Sequence, residues 1–382
     1  MSKPVYLDYN ATTPLAAEVL EAMLPYLTGH FGNPSSSHTY GRKAAEAVRE
    51  ARTLVAELIG AAADEIVFTG SATEADNLAL LGVARALGGA KRHLVVSAVE
   101  HPAVIEPALH LRSGGWDLSI IPVDAYGRVD PSDVAAALRP DTALVSIMHA
   151  NNEVGTIQPV AEIAAITRAR GALLHTDAAQ SAGKIPVNVD ALGVDLLTLA
   201  GHKFYAPKGV GALYVRTGAP IKPIQFGAEQ EHGLRPGTEN VPQVVGLGAA
   251  ARLARERLPA ATEKLRALRD ALHQRLAAGI PGLMLNGHPT ELLPTTLNVS
   301  FPGIAGRELL WRVAGRVAAS VGSACHSEAD TVSGVLAAMG CDASRALGAV
   351  RLSVGWMTTP EEIDAAATVL AEGVSGLLLR PR

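Results

Sequence analysis

Two short apolar runs, each ending on polar residues, constrain this chain more than any other feature. The run ALLH at 172–175 delivers Thr176 and Asp177, and the run DLLTLA at 195–200 delivers Gly201, His202 and Lys203. Apolar stretches of this length, bounded by Gly and Asp, fit strands of a sheet covered on both faces. Ligands of such sheets sit outside the carboxyl ends of the strands. The expectation is that an acid and a lysine face one crevice from neighbouring strands.

That pair suits pyridoxal phosphate, which needs a lysine for its Schiff base and an anion beside its pyridine nitrogen. The anion keeps that nitrogen protonated, because an adjacent opposite charge favours the charged form. Gln180, three residues after Asp177, is placed to donate to the ring's phenolate oxygen. A structural Asp–Lys ion pair between strands fits the same two residues.

At 382 residues the chain can bury a large core, and two domains are expected. Apolar residues make up 48% and charged ones 18%, which is globular rather than disordered. Thirty-three basic residues against 37 acidic leave a formal charge of −4, and no basic block points to nucleic acid. The start, MSKPVYLDYNATTP, lacks the charged and apolar regions of a signal peptide, and no apolar run is long enough for a membrane span. Cys325 and Cys341 are the only cysteines, which excludes a disulfide framework and a four-thiolate metal site. A cytoplasmic enzyme is expected, with no metal, nucleic acid or membrane among its partners.

Along the chain, VYLDYNATTP at 5–14 reads as an extended segment running into a turn, and a helix is expected over 15–26. GNPSSSHTYGR at 32–42 is a polar loop too long and irregular for a mere turn. A helix over 42–59, a strand over 66–69 and a helix over 73–87 follow. The Gly-Ser-Ala-Thr turn between the last two aims backbone N–H groups outward, a natural phosphate cradle, although Ser and Thr also serve as ordinary N-caps. A strand over 93–97 leads to His101 at the next helix start, a place where His is often only a cap. Strands over 118–123 and 143–148 and helices over 131–138 and 160–170 continue the alternation. Asn151, Asn152 and Glu153 fall at a strand's carboxyl end. Alternation of this kind implies a mostly parallel sheet with helices on both faces.

A strand over 211–215, a polar loop over 220–240 and a helical region over 243–278 close this part. Beyond it, strands over 295–301, 316–321 and 349–354 and helices over 306–314, 332–339 and 360–378 suggest a smaller α+β unit. VGSACHSEADT at 321–331 places Cys325 beside His326 on a loop of small residues, and Arg351 falls on a strand. Free cysteine is commonly a packing residue, but polar neighbours favour an exposed, reactive thiol.

Together these pieces resemble the cysteine desulfurases and selenocysteine lyases, class V members of the aminotransferase (fold type I) pyridoxal phosphate family. The matching motifs begin with YLDYNATTP at 6–14, GNPSSSH at 32–38, ATEADNLA at 72–79, EHPAV at 100–104 and NNEVGTIQP at 151–159. HTDAAQSAGK at 175–184, GHKFYAPKGVGALYV at 201–215, RPGTEN at 235–240, SVGSACHSE at 320–328 and RLSVG at 351–355 complete the set, nearly end to end and in order. The resemblance implies an α/β fold with a large pyridoxal-phosphate-binding domain over 15–255. Residues 1–14 with 256–382 would form the small domain carrying the catalytic cysteine loop.

Carried over by position, Lys203 would hold the cofactor, Asp177 would pair with the ring nitrogen and Gln180 with the phenolate. His101 would stack on the ring and relay protons. Ala72, Thr73 and His202 would hold the phosphate, joined by Thr238 from the other subunit of a homodimer. Asn152 would touch the cofactor and, with Arg351, bind the substrate carboxylate, a task suited to guanidinium. The resemblance implies conversion of L-cysteine to L-alanine, with the Cys325 thiolate taking the sulfur as a persulfide for an acceptor such as an iron–sulfur scaffold or a tRNA-thiolation protein. The alternatives are a selenocysteine lyase acting on L-selenocysteine, or another class V aminotransferase activity.

The chain departs from its relatives' pattern at four places. Ala200 stands where many have a Ser, which removes a phosphate hydroxyl. Thr69-Gly70-Ser71 reverses a usual Ser-Gly order, and GAEQEH at 227–232 has His232 where an Arg is usual. His326 follows the nucleophile, which resembles the lyases; an imidazolium there would lower the thiol pKa, and an exposed loop residue fits the same position.

Overall fold

The computed structural model describes residues 3–322 and 333–379. Cys325 and His326 lie outside them. The elements in chain order begin with β1 (Val5–Tyr6), α1 (Ala17–Thr28), α2 (Thr39–Ile59), β2 (Ile66–Thr69), α3 (Ala72–Leu87), β3 (His93–Ser97), α4 (Pro102–Ser113) and β4 (Asp117–Ile121). Then come α5 (Pro131–Ala137), β5 (Thr142–Ser146), α6 (Val160–Ala169), β6 (Leu173–Asp177), α7 (Val189–Leu192), β7 (Leu196–Ala200), β8 (Gly211–Val215) and α8 (Val241–Gly279). The rest are β9 (Met284–Asn286), β10 (Thr296–Ser300), α9 (Gly306–Val313), β11 (Val317–Ala318), α10 (Gly334–Ala338), α11 (Ala343–Leu347), β12 (Ala349–Ser353) and α12 (Pro360–Leu378).

The fold is α/β, around a seven-stranded sheet in the order β2-β8-β7-β6-β5-β3-β4. All strands are parallel except β8, which runs antiparallel to both neighbours. The exception has a simple cause. A parallel return needs a crossover of a dozen or more residues, and only residues 201–210 join β7 to β8. That short connection carries Lys203. β3 (HLVVS), β5 (TALVS) and β7 (LLTLA) are buried along their whole length, as strands covered on both faces must be, whereas β4 at the edge is partly exposed. The chain goes outward from β3 to β4 and then reverses to β5, which creates a switch point at the carboxyl ends of β3 and β5.

A second sheet, β9-β10-β12, is antiparallel, and β1 pairs with β11 in parallel. It covers its own core, where Leu7, Leu272, Val299, Leu309, Val350 and Leu370 meet. The helix α8 joins the cores: Val244 to Ala254 bury against the large sheet's helices and Leu265 to Leu276 against the second core.

Most elements fall within a few residues of expectation. The strand expected over 316–321 is only β11, because the chain leaves the ladder after Ala318 and Ser320 makes an isolated bridge to Arg351. β9, α7 and α11 have three to five residues each and are too short to show a period in sequence. The helix expected over 332–339 is α10.

Candidate active site

β6 and β7 lie side by side, with Asp177 opposite Thr198 in the ladder. Asp177 ends β6, and Lys203 ends the single 3₁₀ turn Gly201–Lys203 that follows β7. Both line a cavity of about 280 Å³. The same cavity is lined by Ala72, Thr73, His101, Asn152, Gln180, His202 and Arg351. Thr238 is not among its lining residues and is exposed in the loop before α8.

Asp177 is buried, and the Ala179 N–H donates to its Oδ1 at 2.8 Å. Burial raises its carboxyl above the usual range, while that N–H, His101 and Lys203 oppose the rise. Behind it lies a second carboxyl that the sequence reading missed. Asp76 is completely buried on α3, neither oxygen has a hydrogen-bond partner among the described residues, and His175 Nε2 is 3.5 Å from its Oδ1. Burial first, and then the Asp177 charge, hold the Asp76 carboxyl well above the usual range. His175 is pushed down to about 3 by burial, so it offers no cation in compensation. A buried acid so poorly served by donors favours a nearby cation. The signal in sequence was an acid on the apolar face of α3, between Ala75 and Leu78.

The Lys203 Nζ donates to the carbonyls of Asn10 and Ala11 at 2.7 and 2.9 Å. Asn10 was also missed. Fully buried, it takes the Gln180 Nε2 on its carbonyl at 3.0 Å and the Lys184 Nζ on its Oδ1 at 3.3 Å. Lys184 also donates to Gln180 Oε1 at 2.7 Å. A backbone carbonyl can only accept, so the Asn10 contact fixes the Gln180 amide with its NH₂ toward Asn10 and its carbonyl toward Lys184. Burial, then Lys203 and Arg351, drive the Lys184 amine well below its ordinary pKa.

His101 is both a cap and a cavity residue. Its Nδ1 accepts from the Ala103 N–H at 3.1 Å at the start of α4, which puts the proton of the neutral ring on Nε2. Burial and Lys203 lower its pKa against the pull of Asp177.

The Gly-Ser-Ala-Thr turn at 70–73, expected to aim backbone N–H groups outward, forms the N-terminus of α3. Ser71 caps it by accepting from Glu74 N at 3.1 Å, Thr69 Oγ1 donates to Ser71 O at 2.8 Å, and Gly70 N donates to Glu74 at 2.6 Å. These bonds occupy Thr69, Gly70 and Ser71. Ala72 and Thr73 begin the helix, where backbone N–H groups lack intrahelical acceptors and the dipole favours an anion. Gly211 of β8 is what lets the sheet approach so closely: a Cβ there would sit 2.7 Å from Ser71 C and 2.9 Å from Ala72 N. His202 joins the cavity from the other side, its Nδ1 3.1 Å from Thr12 Oγ1, and burial pushes it down to about 4.

Arg351 reaches the cavity from β12, bonded to the Asn152 carbonyl at 3.0 Å and to Asp8 at 2.9 Å. Just after Lys203, Tyr205 adopts a φ of 71°, a left-handed conformation uncommon outside glycine. Thr13 Oγ1 accepts its N–H at 2.8 Å and its ring stacks on Trp356 at 3.5 Å, contacts that hold the strained turn in place.

The donor set fits pyridoxal phosphate: a lysine, a buried anion backed by a second acid, and an anion cradle at a helix start face one cavity. Among the described residues no group of His, Cys, Asp and Glu could hold a metal ion.

Comparison with known proteins gives the same direction. The class-V aminotransferase family profile matches residues 5–366. A cysteine desulfurase IscS from Dictyoglomus turgidum is 46% identical over 371 residues, covering 97% of this chain and 94% of its own. A NifS-like protein of known structure superposes with a TM-score of 0.92 at 38% identity, covering 98% of this chain and all of its own. A structure described as SspA in complex with cysteine gives a TM-score of 0.82 at 37% identity, over 92% of this chain and 99% of its own.

Proposed function

The chain belongs to the class-V aminotransferase family and is a cysteine desulfurase, and from that premise we propose that it holds pyridoxal phosphate on Lys203 and passes sulfur from L-cysteine to Cys325. The observation that carries this reading is the convergence of Lys203, Asp177 and the α3 N-terminus on one cavity. When bound, pyridoxal phosphate supplies an electron sink for the alpha carbon of an amino acid.

The chain's residues then have distinct tasks. Asp177 presents the anion for the ring nitrogen. Gln180, its amide oriented by Lys184 and Asn10, turns N–H toward the phenolate position. Ala72, Thr73 and His202 hold the phosphate, with backbone N–H groups standing in for the hydroxyl that Ala200 lacks. Arg351 and Asn152 bind the substrate carboxylate. His101, neutral with its proton on Nε2, is placed to move a proton over the cavity. The Cys325 thiolate attacks the substrate sulfur, and the electron pair of the broken carbon–sulfur bond stays on carbon. That carbon takes a proton to give L-alanine, and the enzyme keeps a persulfide for an acceptor protein. The selenocysteine alternative rests on His326, which lies outside the described residues.

A homodimer in which Thr238 serves the partner's phosphate site is part of the same proposal, supported by the exposure of Thr238 and its absence from the residues lining its own cavity. Division into 15–255 and 1–14 with 256–382 is supported by one separate apolar cluster that joins Leu7 to residues from Leu265 onward, while Tyr9 packs in the large core. A cytoplasmic location is part of the same proposal; separately, none of the described helices is long and apolar enough to cross a membrane.

The test is chemical. Lys203→Ala is expected to lose the visible absorbance of bound cofactor and all alanine release from cysteine. Borohydride reduction of the native enzyme, followed by peptide mapping, is expected to leave the label on Lys203; a label on another lysine refutes the assignment.

A further inference from the structure

Arg351 is 2% exposed, and its three guanidinium nitrogens are treated differently. Nη1 donates to the Asn152 carbonyl and Nη2 to Asp8 Oδ1, but Nε is buried with no hydrogen-bond partner among the described residues. A carboxylate beside a guanidinium ordinarily engages Nε and Nη2 together as a fork. Asp8 does not, and the reason is visible. Ser320 Oγ donates to its second oxygen, Oδ2, at 2.9 Å.

Ser320 is itself fixed against Arg351. The Arg351 N–H donates to the Ser320 carbonyl at 2.7 Å, and the Ser320 N–H returns to Arg351 O at 3.3 Å. Asp8 is held by a bridge to Ser353 and by Tyr6 Oη, which donates to its carbonyl at 3.1 Å. The backbone thus places Asp8 and Ser320 side by side, and the serine hydroxyl decides which way the carboxylate turns. An orphaned buried N–H is costly, so this arrangement persists only because the surroundings impose it, and a second carboxylate would relieve it.

We propose that Asp8 and Ser320 are positioning residues that keep the Asp8 carboxylate on Nη2 of Arg351 alone, so that the Nε–H stays open to the carboxylate of the incoming amino acid. The proposal rests on the reading of Arg351 as the substrate clamp. Without the serine hydroxyl, Asp8 is free to rotate and take Nε and Nη2 together, which closes the clamp with an internal carboxylate.

The experiment is steady-state alanine release from L-cysteine by the holoenzyme and its variants. Ser320→Ala is expected to raise KM about ten-fold, the worth of one charge-assisted hydrogen bond, with kcat changed less than about two-fold. Adding Asp8→Asn to Ser320→Ala is expected to return most of that KM, because an amide has only one acceptor oxygen and cannot form the fork. A KM unaffected by Ser320→Ala, a fall in kcat alone, or a double variant no better than Ser320→Ala overturns the proposal. Arg351→Ala separates the two layers. A large KM rise there, with failure of the Ser320 and Asp8 variants, overturns only the positioning role, whereas an unchanged KM removes the clamp and the proposal with it.

Discussion

Glu100 shows how one side chain near the site links burial to pH. Its Oε1 accepts from Ser97 Oγ at 2.6 Å and from Met148 N at 2.8 Å, while Oε2 is buried with no partner among the described residues. An oxygen with no donor in reach is best served by carrying the proton itself, and burial pushes this carboxyl up from 4.5 to about 8. Between those two values the folded protein binds a proton that the unfolded chain has released. Stability is therefore full below the lower value and falls as pH rises through the window. The upper bound is about 1.4 kcal/mol for each pH unit of the window. Glu100→Gln keeps the acceptor and replaces the O–H with an N–H, so it should remove this part of the slope. The expected result is a melting temperature that declines less for the variant than for the native enzyme from about pH 5 to about pH 8. Parallel profiles would show that Glu100 is not protonated in the fold.

At the scale of elements, the loop between β8 and α8 depends on a buried ion pair. Arg52 of α2 meets both Glu231 oxygens at 2.7 Å, and Phe68 N donates to Glu231 Oε2 at 2.7 Å, so one carboxylate ties loop, helix and strand. Glu231 and His232 both have positive φ, 48° and 59°, a strained turn that this anchor holds. Glu231→Ala leaves the Arg52 charge largely buried without its carboxylate, with the Ile66 carbonyl and the Phe68 ring still in contact, and is expected to cost about 3 kcal/mol in denaturant unfolding. Weaker cofactor binding should accompany it, since Thr238 lies on the same loop. An unchanged unfolding midpoint would count against the anchor. The Arg52–Glu231 anchor was not visible in the sequence, where this loop reads as long and polar and carries the RPGTEN motif. Asp177 and Lys203 were legible because a strand's apolar run delivers each to a fixed end of a parallel sheet. Asn10, Asp8 and Lys184 were not, because their partners arrive from far along the chain: Lys184 meets Asn10 across 174 residues and Asp8 meets Arg351 across 343. Periodicity reports which face an element buries, and it carries no information about which polar groups the fold then brings together.

For the whole molecule the decisive question is whether the proposed phosphate site is completed by its own chain or by a second copy. Arg235 pairs with Glu74 at 2.9 Å, and the other Glu74 oxygen takes the Gly70 N–H, so the loop before α8 is fastened to the cradle of its own chain. Thr238, three residues further on, is nevertheless exposed and does not line that chain's cavity. A second copy is what would bring it to a phosphate. Lys203→Ala chains retain a sound Thr238, and Thr238→Glu chains, which place a negative charge against the phosphate, retain a sound Lys203. Neither variant alone is expected to release alanine at a useful rate. If Thr238 serves the partner, a mixed dimer contains one site with both Lys203 and Thr238 intact, and mixing the two under exchanging conditions should restore part of the activity. If Thr238 serves its own chain, every site in the mixture carries one of the two lesions, and no activity returns even when mass measurement shows that mixed dimers have formed.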